Sequence, residues 1–357
     1  SMSRFFSKRY SSLVPYTPGE QPKELQYIKL NTNESPFPPS NTVIQAVKTE
    51  AGNLQLYSDP DSTELVNKLA ETYNVSPEQV IVNNGSDETL NFAFMAFADE
   101  KHPLAFPDIT YGFYPVFAEL NHIPYSTIPL NGKLEINPDD FVGIGKTIVI
   151  ANPNAPTGLS LTINEVEKIT KSNPNNIVII DEAYVDFGGE SAIPLVDKYE
   201  NLLVVQTFSK SRSLAGARLG YGIGSKNLIE DLNTIKYSTN PYNVNRMTSA
   251  AGIAALNDSV YYQNNCAEIA KVREFTITEL RKLDFHVTDS KANFVFAKSN
   301  DISGIHLYTE LKKRGILIRH FDTEKISDYN RITVGTMQQM KILIKEITEI
   351  LKEAENN

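Results

Sequence analysis

Between residues 79 and 224 the sequence sets six short runs of aliphatic and β-branched residues among segments of helical period, and this alternation restricts the chain more than any other feature. The runs are QVIVNN (79 to 84), PLAFP (103 to 107), KTIVIA (146 to 151), NIVIID (176 to 181), LLVVQTF (202 to 208) and RLGYGIG (218 to 224). Helical periods lie at 63 to 74, 86 to 98, 111 to 121, 162 to 172 and 226 to 236. Strands and helices in alternation make a largely parallel sheet covered by helices on both faces. The predicted fold class is therefore α/β, with one large domain over roughly residues 30 to 255.

Past residue 260 the pattern changes. A long amphipathic segment, YYQNNCAEIAKVREFTITELRKL, precedes FHVTD, NFVFAK, a helix IHLYTELKKRG, then ILIRHF, RITVG and a last helix to about 353. This predicts a smaller α+β domain over 256 to 357, hung on a connecting helix. Residues 1 to 29, rich in Pro, Tyr and Ser, suit an arm lying over it. With 357 residues and 41% hydrophobic content the chain can fill two cores.

Charge narrows the partners. The 34 Lys and Arg stand against 43 Asp and Glu, a net of -9, which argues against a broad nucleic-acid or membrane-surface face. An anionic ligand must therefore be caught by a local cationic pocket. One cysteine, Cys266, allows no internal disulfide, and five scattered histidines lack metal-ligand spacing, so the expectation is a metal-free cytoplasmic protein. The N-terminal stretch has no signal-peptide core and no later segment approaches a membrane span; Ser1 ahead of Met2 is expected to be a cloning remnant.

Ligand sites in open α/β sheets lie at the carboxyl ends of the strands. After QVIVNN, Gly85 turns the chain and Ser86 or Asp87 opens a helix, leaving free N–H groups for an anion, or simply a capped helix. NIVII ends in Asp181, an acid that needs a partner if it is buried. A cationic ring nitrogen would serve, and so would an ordinary cap or salt bridge. LLVVQTF delivers Ser209 and Lys210, with Arg218 beyond in AGARLGYGIG. A lysine becomes a nucleophile near neutral pH only where burial or neighbouring cations weaken its hold on a proton. An acid for a pyridinium, a lysine for a Schiff base and a Ser/Arg/helix-terminus cradle for a phosphate are together the parts that hold pyridoxal 5'-phosphate.

The chain resembles the fold-type I pyridoxal-phosphate aminotransferases, and within them the histidinol-phosphate branch. The likeness rests on LVPYTPG (13 to 19), KLNTNESPF (29 to 37), YSDPDSTEL (57 to 65), NNGSDE (83 to 88), NPNAPTG (152 to 158), DEAYVDF (181 to 187), TFSKSRSLAGARLGY (207 to 221), RGILIRHF (314 to 321) and NRITVGT (330 to 336). It implies that Lys210 carries the cofactor and shuttles the proton, that Asp181 keeps the pyridine nitrogen protonated, and that Tyr184 bonds the phenolic oxygen. It further implies that Tyr111 stacks on the ring and that Ser86, Asp87, Ser209 and Arg218 cradle the phosphate. Tyr57 would reach that phosphate from the other subunit of a homodimer.

For the substrate, the resemblance implies Arg331 as the clamp on an α-carboxylate. Arg319, Tyr16 and Asn33 would contact the remainder, with Arg319 and Tyr16 reading a distal phosphate. The implied reaction is transamination of L-histidinol phosphate with 2-oxoglutarate, giving imidazole-acetol phosphate and L-glutamate, in histidine biosynthesis. An aromatic amino-acid aminotransferase and a phosphothreonine decarboxylase would use the same frame. One position departs from the family pattern: Ala155 stands before Pro-Thr-Gly where Asn is usual, so either Asn154 takes over its bond to the cofactor's phenolic oxygen or Tyr184 makes that contact alone.

Overall fold

The structure is a computed structural model that describes residues 2 to 24 and 26 to 357. Ser1 and Leu25 of the predicted arm lie outside the described residues. The chain runs through β1 (Ile28–Lys29), α1 (Asn41–Glu50), α2 (Thr63–Tyr73), β2 (Val80–Asn83), α3 (Ser86–Phe97), β3 (Leu104–Pro107), α4 (Phe113–Leu120) and β4 (Tyr125–Ile128). It continues through β5 (Thr147–Ala151), α5 (Ile163–Ser172), β6 (Val178–Asp181), β7 (Leu202–Thr207), β8 (Gly220–Ile223), α6 (Lys226–Thr239) and α7 (Arg246–Asn257). The last third holds α8 (Ser259–Lys282), β9 (Phe285–Val287), β10 (Phe294–Ser299), α9 (Gly304–Lys313), β11 (Ile316–Leu317), β12 (Arg319–His320), β13 (Tyr329–Thr333) and α10 (Met337–Glu355).

All six apolar runs become strands of one seven-stranded sheet, ordered β2-β8-β7-β6-β5-β3-β4. Their side chains divide between two cores. Val80, Val82, Ile148, Ile150, Val178, Ile180, Leu202 and Val204 face one helical layer, and Ile81, Val149, Ile179, Leu203 and Val205 face the other. Burial on both sides is why these runs show no polar alternation. Each fully buried Val, Leu or Ile contributes about 1.5 to 3 kcal/mol.

Strands β3 to β7 are mutually parallel, but β8 is antiparallel to both of its neighbours. That reversal brings the start of β8, not its end, to the carboxyl edge of the sheet. Arg218, just ahead of Gly220, thereby joins residues that follow β2, β6 and β7.

Several elements lie outside the sequence reading, among them β1, β4, α1 and α7. β4 is the edge strand, and its YSTI alternates between exposed and half-buried positions, so it carries no apolar run. Helices α1 and α7 pack on one another and are capped by Ser40, accepting from the Val43 N–H at 3.4 Å, and by Asn245, accepting from the Thr248 N–H at 2.9 Å.

The long α8 leads into an antiparallel sheet, β12-β13-β10-β9, backed by α8, α9 and α10 over a separate core that includes Leu280, Val295, Ile332 and Leu343. The run ILIRHF divides between two partners. Ile316–Leu317 pairs in parallel with Ile28–Lys29 from the N-terminal region, while Arg319–His320 joins β13. This split carries the N-terminal segment past the mouth of the larger sheet. Among the described residues, no helix is long and apolar enough to cross a membrane.

Candidate active site

A cavity of about 570 Å³ opens at the carboxyl edge of the larger sheet, walled on its far side by β12, β13 and the N-terminal segment. Ligand sites typically span about 300 to 1,000 Å³. Its lining includes Tyr16, Asn33, Ser86, Asp87, Tyr111, Asp181, Tyr184, Ser209, Lys210, Arg218, Arg319 and Arg331. Sequence reasoning chose every one of these.

Asp181 ends β6, in register with Ala151 and Val205, and is 4% exposed. Its Oδ2 accepts from the Tyr114 hydroxyl at 2.6 Å, while its Oδ1 is buried without a partner. Burial pushes the Asp181 carboxyl up to about 6; the Tyr114 hydrogen bond opposes that rise and the Asp87 charge adds to it. An unsatisfied buried acceptor costs about 1 to 3 kcal/mol, so a donor is wanted on the cavity side.

The Lys210 Nζ donates to the Thr32 carbonyl at 3.3 Å and lies 5.7 Å from the Tyr184 ring centroid. The Tyr184 hydroxyl accepts from Asn33 Nδ2 at 3.0 Å, which leaves the phenolic proton free to point elsewhere. Asn33 is itself anchored, because its Oδ1 accepts from Thr333 Oγ1 at 2.9 Å and its carbonyl accepts from Asn293 Nδ2 at 2.9 Å.

The cradle at the start of α3 depends on two glycines. Gly85 adopts φ +88°, and a Cβ there would meet the Arg218 guanidinium at 2.8 Å. At Gly220 a Cβ would stand 2.3 Å from the Ser86 nitrogen, so only glycine lets β8 pass beside the helix N-terminus. The Asp87 carboxylate accepts from the Tyr111 hydroxyl at 2.9 and 3.1 Å and stands 3.9 Å from Arg218. Burial raises the Asp87 pKa, against the pull of Tyr111 and Arg218. What Asp87 offers an anion is therefore its place in the first helical turn, not its carboxylate. The Ser209 N–H and hydroxyl both meet Thr207 Oγ1, at 3.1 and 3.0 Å.

Across the cavity, Arg319 and Arg331 face each other in register on β12 and β13. Like charges directly opposed in a sheet are destabilising. Neither guanidinium has an ion-pair partner among the described residues; Arg331 donates to the Asn31 carbonyl at 2.9 Å and its Nε is buried and unpaired, while Arg319 reaches the Thr17 carbonyl at 3.4 Å. Burial lowers the Arg331 pKa and the Arg319 charge adds to that. Tyr16 stacks on Phe113 with ring centroids 4.2 Å apart and meets Tyr111 edge-on at 6.0 Å.

Two chosen residues stand outside the cavity. Asn154 accepts from Thr110 Oγ1 at 2.7 Å and donates to the Ile109 carbonyl at 3.0 Å, so its amide braces the loop carrying Tyr111 while Ala155 faces the cavity. Its side chain does not take the place of the missing Asn. Tyr57 is 79% exposed and stacks on Tyr242 at 4.7 Å, away from the cavity of its own chain. Tyr114 was missed; its spacing of three from Tyr111 at a helix start is the only sequence trace of it.

The orphaned Asp181 Oδ1, the Arg218 guanidinium and the free N–H groups beside Gly85 fit an anion-bearing ring with a protonated nitrogen, which is what pyridoxal phosphate presents. Comparison with known proteins agrees. Residues 26–347 match the model of aminotransferase class I and II. A histidinol-phosphate aminotransferase of Brachyspira hyodysenteriae is 48% identical over 98% of this chain and 100% of its own, and that of Clostridium beijerinckii 45% identical over 98% of each. The fold is also that of the histidinol-phosphate aminotransferase of Sinorhizobium meliloti solved with pyridoxal-5'-phosphate, with a TM-score of 0.89 at 22% identity over 99% of both chains.

The chain belongs to the aminotransferase class I and II family. It is an enzyme of the pyridoxal-phosphate-dependent kind, as the site's chemistry requires.

Proposed function

We propose that this aminotransferase moves the amino group between L-histidinol phosphate and 2-oxoglutarate, giving imidazole-acetol phosphate and L-glutamate in histidine biosynthesis. The observation that carries the reading is the opposed, acid-free pair Arg319 and Arg331. L-Histidinol phosphate has no carboxylate; its phosphate hangs one carbon from the carbon bearing the amine. A single dianion there can satisfy two guanidiniums at once, and the α-carboxylate of 2-oxoglutarate can take the same place in the second half-reaction. The names borne by the near full-length relatives support the same substrate.

Bound pyridoxal phosphate supplies an electron-accepting ring on which the amino group is held between the two half-reactions. In this reading Lys210 anchors that group and moves the proton at the substrate carbon. Asp181 holds a proton on the ring nitrogen through its free Oδ1. Tyr184, fed by the Asn33 amide, directs its hydroxyl proton at the phenolic oxygen, which makes Asn33 a support for Tyr184 as well as part of the wall. Ser86, Asp87 and Ser209 offer N–H and hydroxyl groups to the phosphate, with Arg218 as counter-charge. Tyr111 would cover the ring and exclude water, and Tyr16, stacked on Phe113, would reach the substrate phosphate with Arg319.

Comparison of kcat/KM for histidinol phosphate, phenylalanine and phosphothreonine tests the substrate. The expected order puts histidinol phosphate first, and a preference for phenylalanine overturns it. Arg319→Gln is expected to lower kcat/KM for histidinol phosphate roughly 10- to 100-fold, the worth of a charged hydrogen bond of about 1.5 to 3 kcal/mol, and to cost phenylalanine less, because its monoanionic α-carboxylate is satisfied by Arg331 alone. Equal losses would remove Arg319 from phosphate recognition.

The working form we infer is a cytoplasmic homodimer in which Tyr57 serves the partner's phosphate site. Tyr57 is exposed beside Leu54 and Leu56, each more than half exposed, an apolar face that a second copy would cover. Sedimentation as a monomer at micromolar concentration would remove the shared tyrosine, and fractionation outside the cytoplasm would overturn the setting.

A further inference from the structure

Helix α4 carries a tyrosine with no exposed surface into contact with the acid of the site. Tyr114 is 0% exposed, enclosed by Phe94, Phe106 and Tyr111 at ring-centroid separations of 6.3, 5.8 and 5.7 Å. Among the described residues its hydroxyl has one hydrogen-bond partner, Asp181 Oδ2, at 2.6 Å. A phenylalanine would fill this aromatic cage equally well, so packing alone does not call for the hydroxyl. The bond also divides the carboxylate: Oδ2 is held by the phenol, while Oδ1 is buried without a partner among the described residues, on a residue that lines the cavity.

We propose that Tyr114 is a positioning residue for the Asp181 carboxylate, holding it ionised and turned so that Oδ1 alone is presented to the ring nitrogen of the cofactor. The inference rests on the assignment of Asp181 to that nitrogen. A charge-assisted O–H···O bond to a carboxylate is short and roughly twice as strong as a neutral hydrogen bond. The other groups around Asp181 do not supply one. Asp87, on α3, repels it; Tyr111 gives its proton to Asp87; Lys210 is turned to the Thr32 carbonyl; the Ala183 N–H adds only a weak neutral contact.

The test is Tyr114→Phe in the full-length protein, with dissociation constants for pyridoxal phosphate measured by absorption titration from pH 6 to pH 8.5. Without the phenol the buried acid holds its proton to higher pH, and that proton must leave before the carboxylate can pair with a ring N–H. The expected result is a variant to wild-type ratio of dissociation constants near one at pH 8.5 that climbs toward about tenfold at pH 6, tenfold corresponding to one unit of displacement in the acid's titration. In an Asp181→Asn background the same substitution is expected to leave the ratio flat. A ratio that is constant across pH in the otherwise wild-type protein, with or without a lowered Tm, assigns Tyr114 to packing and overturns the proposal. A pH-dependent ratio that survives Asp181→Asn would break its link to Asp181 and leave the assignment of that acid open to challenge separately.

Discussion

Lys210→Ala is expected to keep the fold and lose at least roughly 10³-fold in kcat, since general acid–base catalysis alone contributes about 10² to 10⁴. The side chain reaches from the end of β7 into the cavity and, among the described residues, its Nζ is tied only to one backbone carbonyl, that of Thr32, at 3.3 Å. Truncation therefore breaks no ion pair and opens no core void. The measurement is paired: Tm within a few degrees of wild type, and loss of the covalent adduct that borohydride traps between wild-type protein and pyridoxal phosphate. A variant that is still trapped at a single lysine, or that turns over within tenfold of wild type, would remove Lys210 from the reaction.

Much of this site was legible because a strand buried on both faces cannot carry a polar residue without a reason. NIVIID and LLVVQTF end in Asp181 and in Ser209–Lys210 for that reason, and the structure sets them on adjacent strands, β6 and β7, paired in register. Nothing in AGARLGYGIG shows what its glycines pack on: Gly220 lies against the Ser86 nitrogen because β8 runs backwards. Strand direction leaves no mark in a strand's composition. The placement of Arg218 before its apolar run, where Asp181 and Lys210 come at or after theirs, was the one hint.

Other features are created only by tertiary packing. Asn154 and Ala155 are neighbours in sequence, yet the loop gives the cavity wall to Ala155 and turns Asn154 toward Thr110 and Ile109. Tyr114 reads as one more aromatic of an apolar helix, and it touches Asp181 only because the start of α4 is brought beside the end of β6. The division of ILIRHF between β1 and β13 likewise depends on a segment some 290 residues away in sequence, Ile28 pairing with Ile316. Hydrophobic period reports which faces are buried and says nothing about which distant strand covers them.

Asp181→Asn is expected to divide stability from activity, because the carboxylate is held where its charge is costly. The folded protein raises this acid to about 6, above the roughly 3.9 of an unfolded aspartate. The folded state therefore binds the proton more tightly than the unfolded one. As pH falls from about 6 to about 4 the apoprotein gains from protonating Asp181, and above about 6 it bears the full cost of a buried charge. The neutral amide escapes that cost. After discounting its own unpaired N–H, the gain at pH 7 to 8 is about 1 to 2 kcal/mol, and near pH 4, where the native acid is neutral and only that discount remains, the Asn apoprotein becomes the less stable of the two. Catalysis should move the other way. An amide cannot stabilise the charge of a protonated ring nitrogen, and one preorganised electrostatic partner is worth about 2.7 to 4 kcal/mol, so kcat is expected to fall roughly 10²- to 10³-fold. Apoprotein Tm across pH 4 to 8, set beside kcat for the loaded enzyme, checks both halves. A less stable Asn variant at pH 8, or one that keeps its kcat, would mean that Asp181 is paired to something other than the ring, and that its free Oδ1 is not the contact around which the site is built.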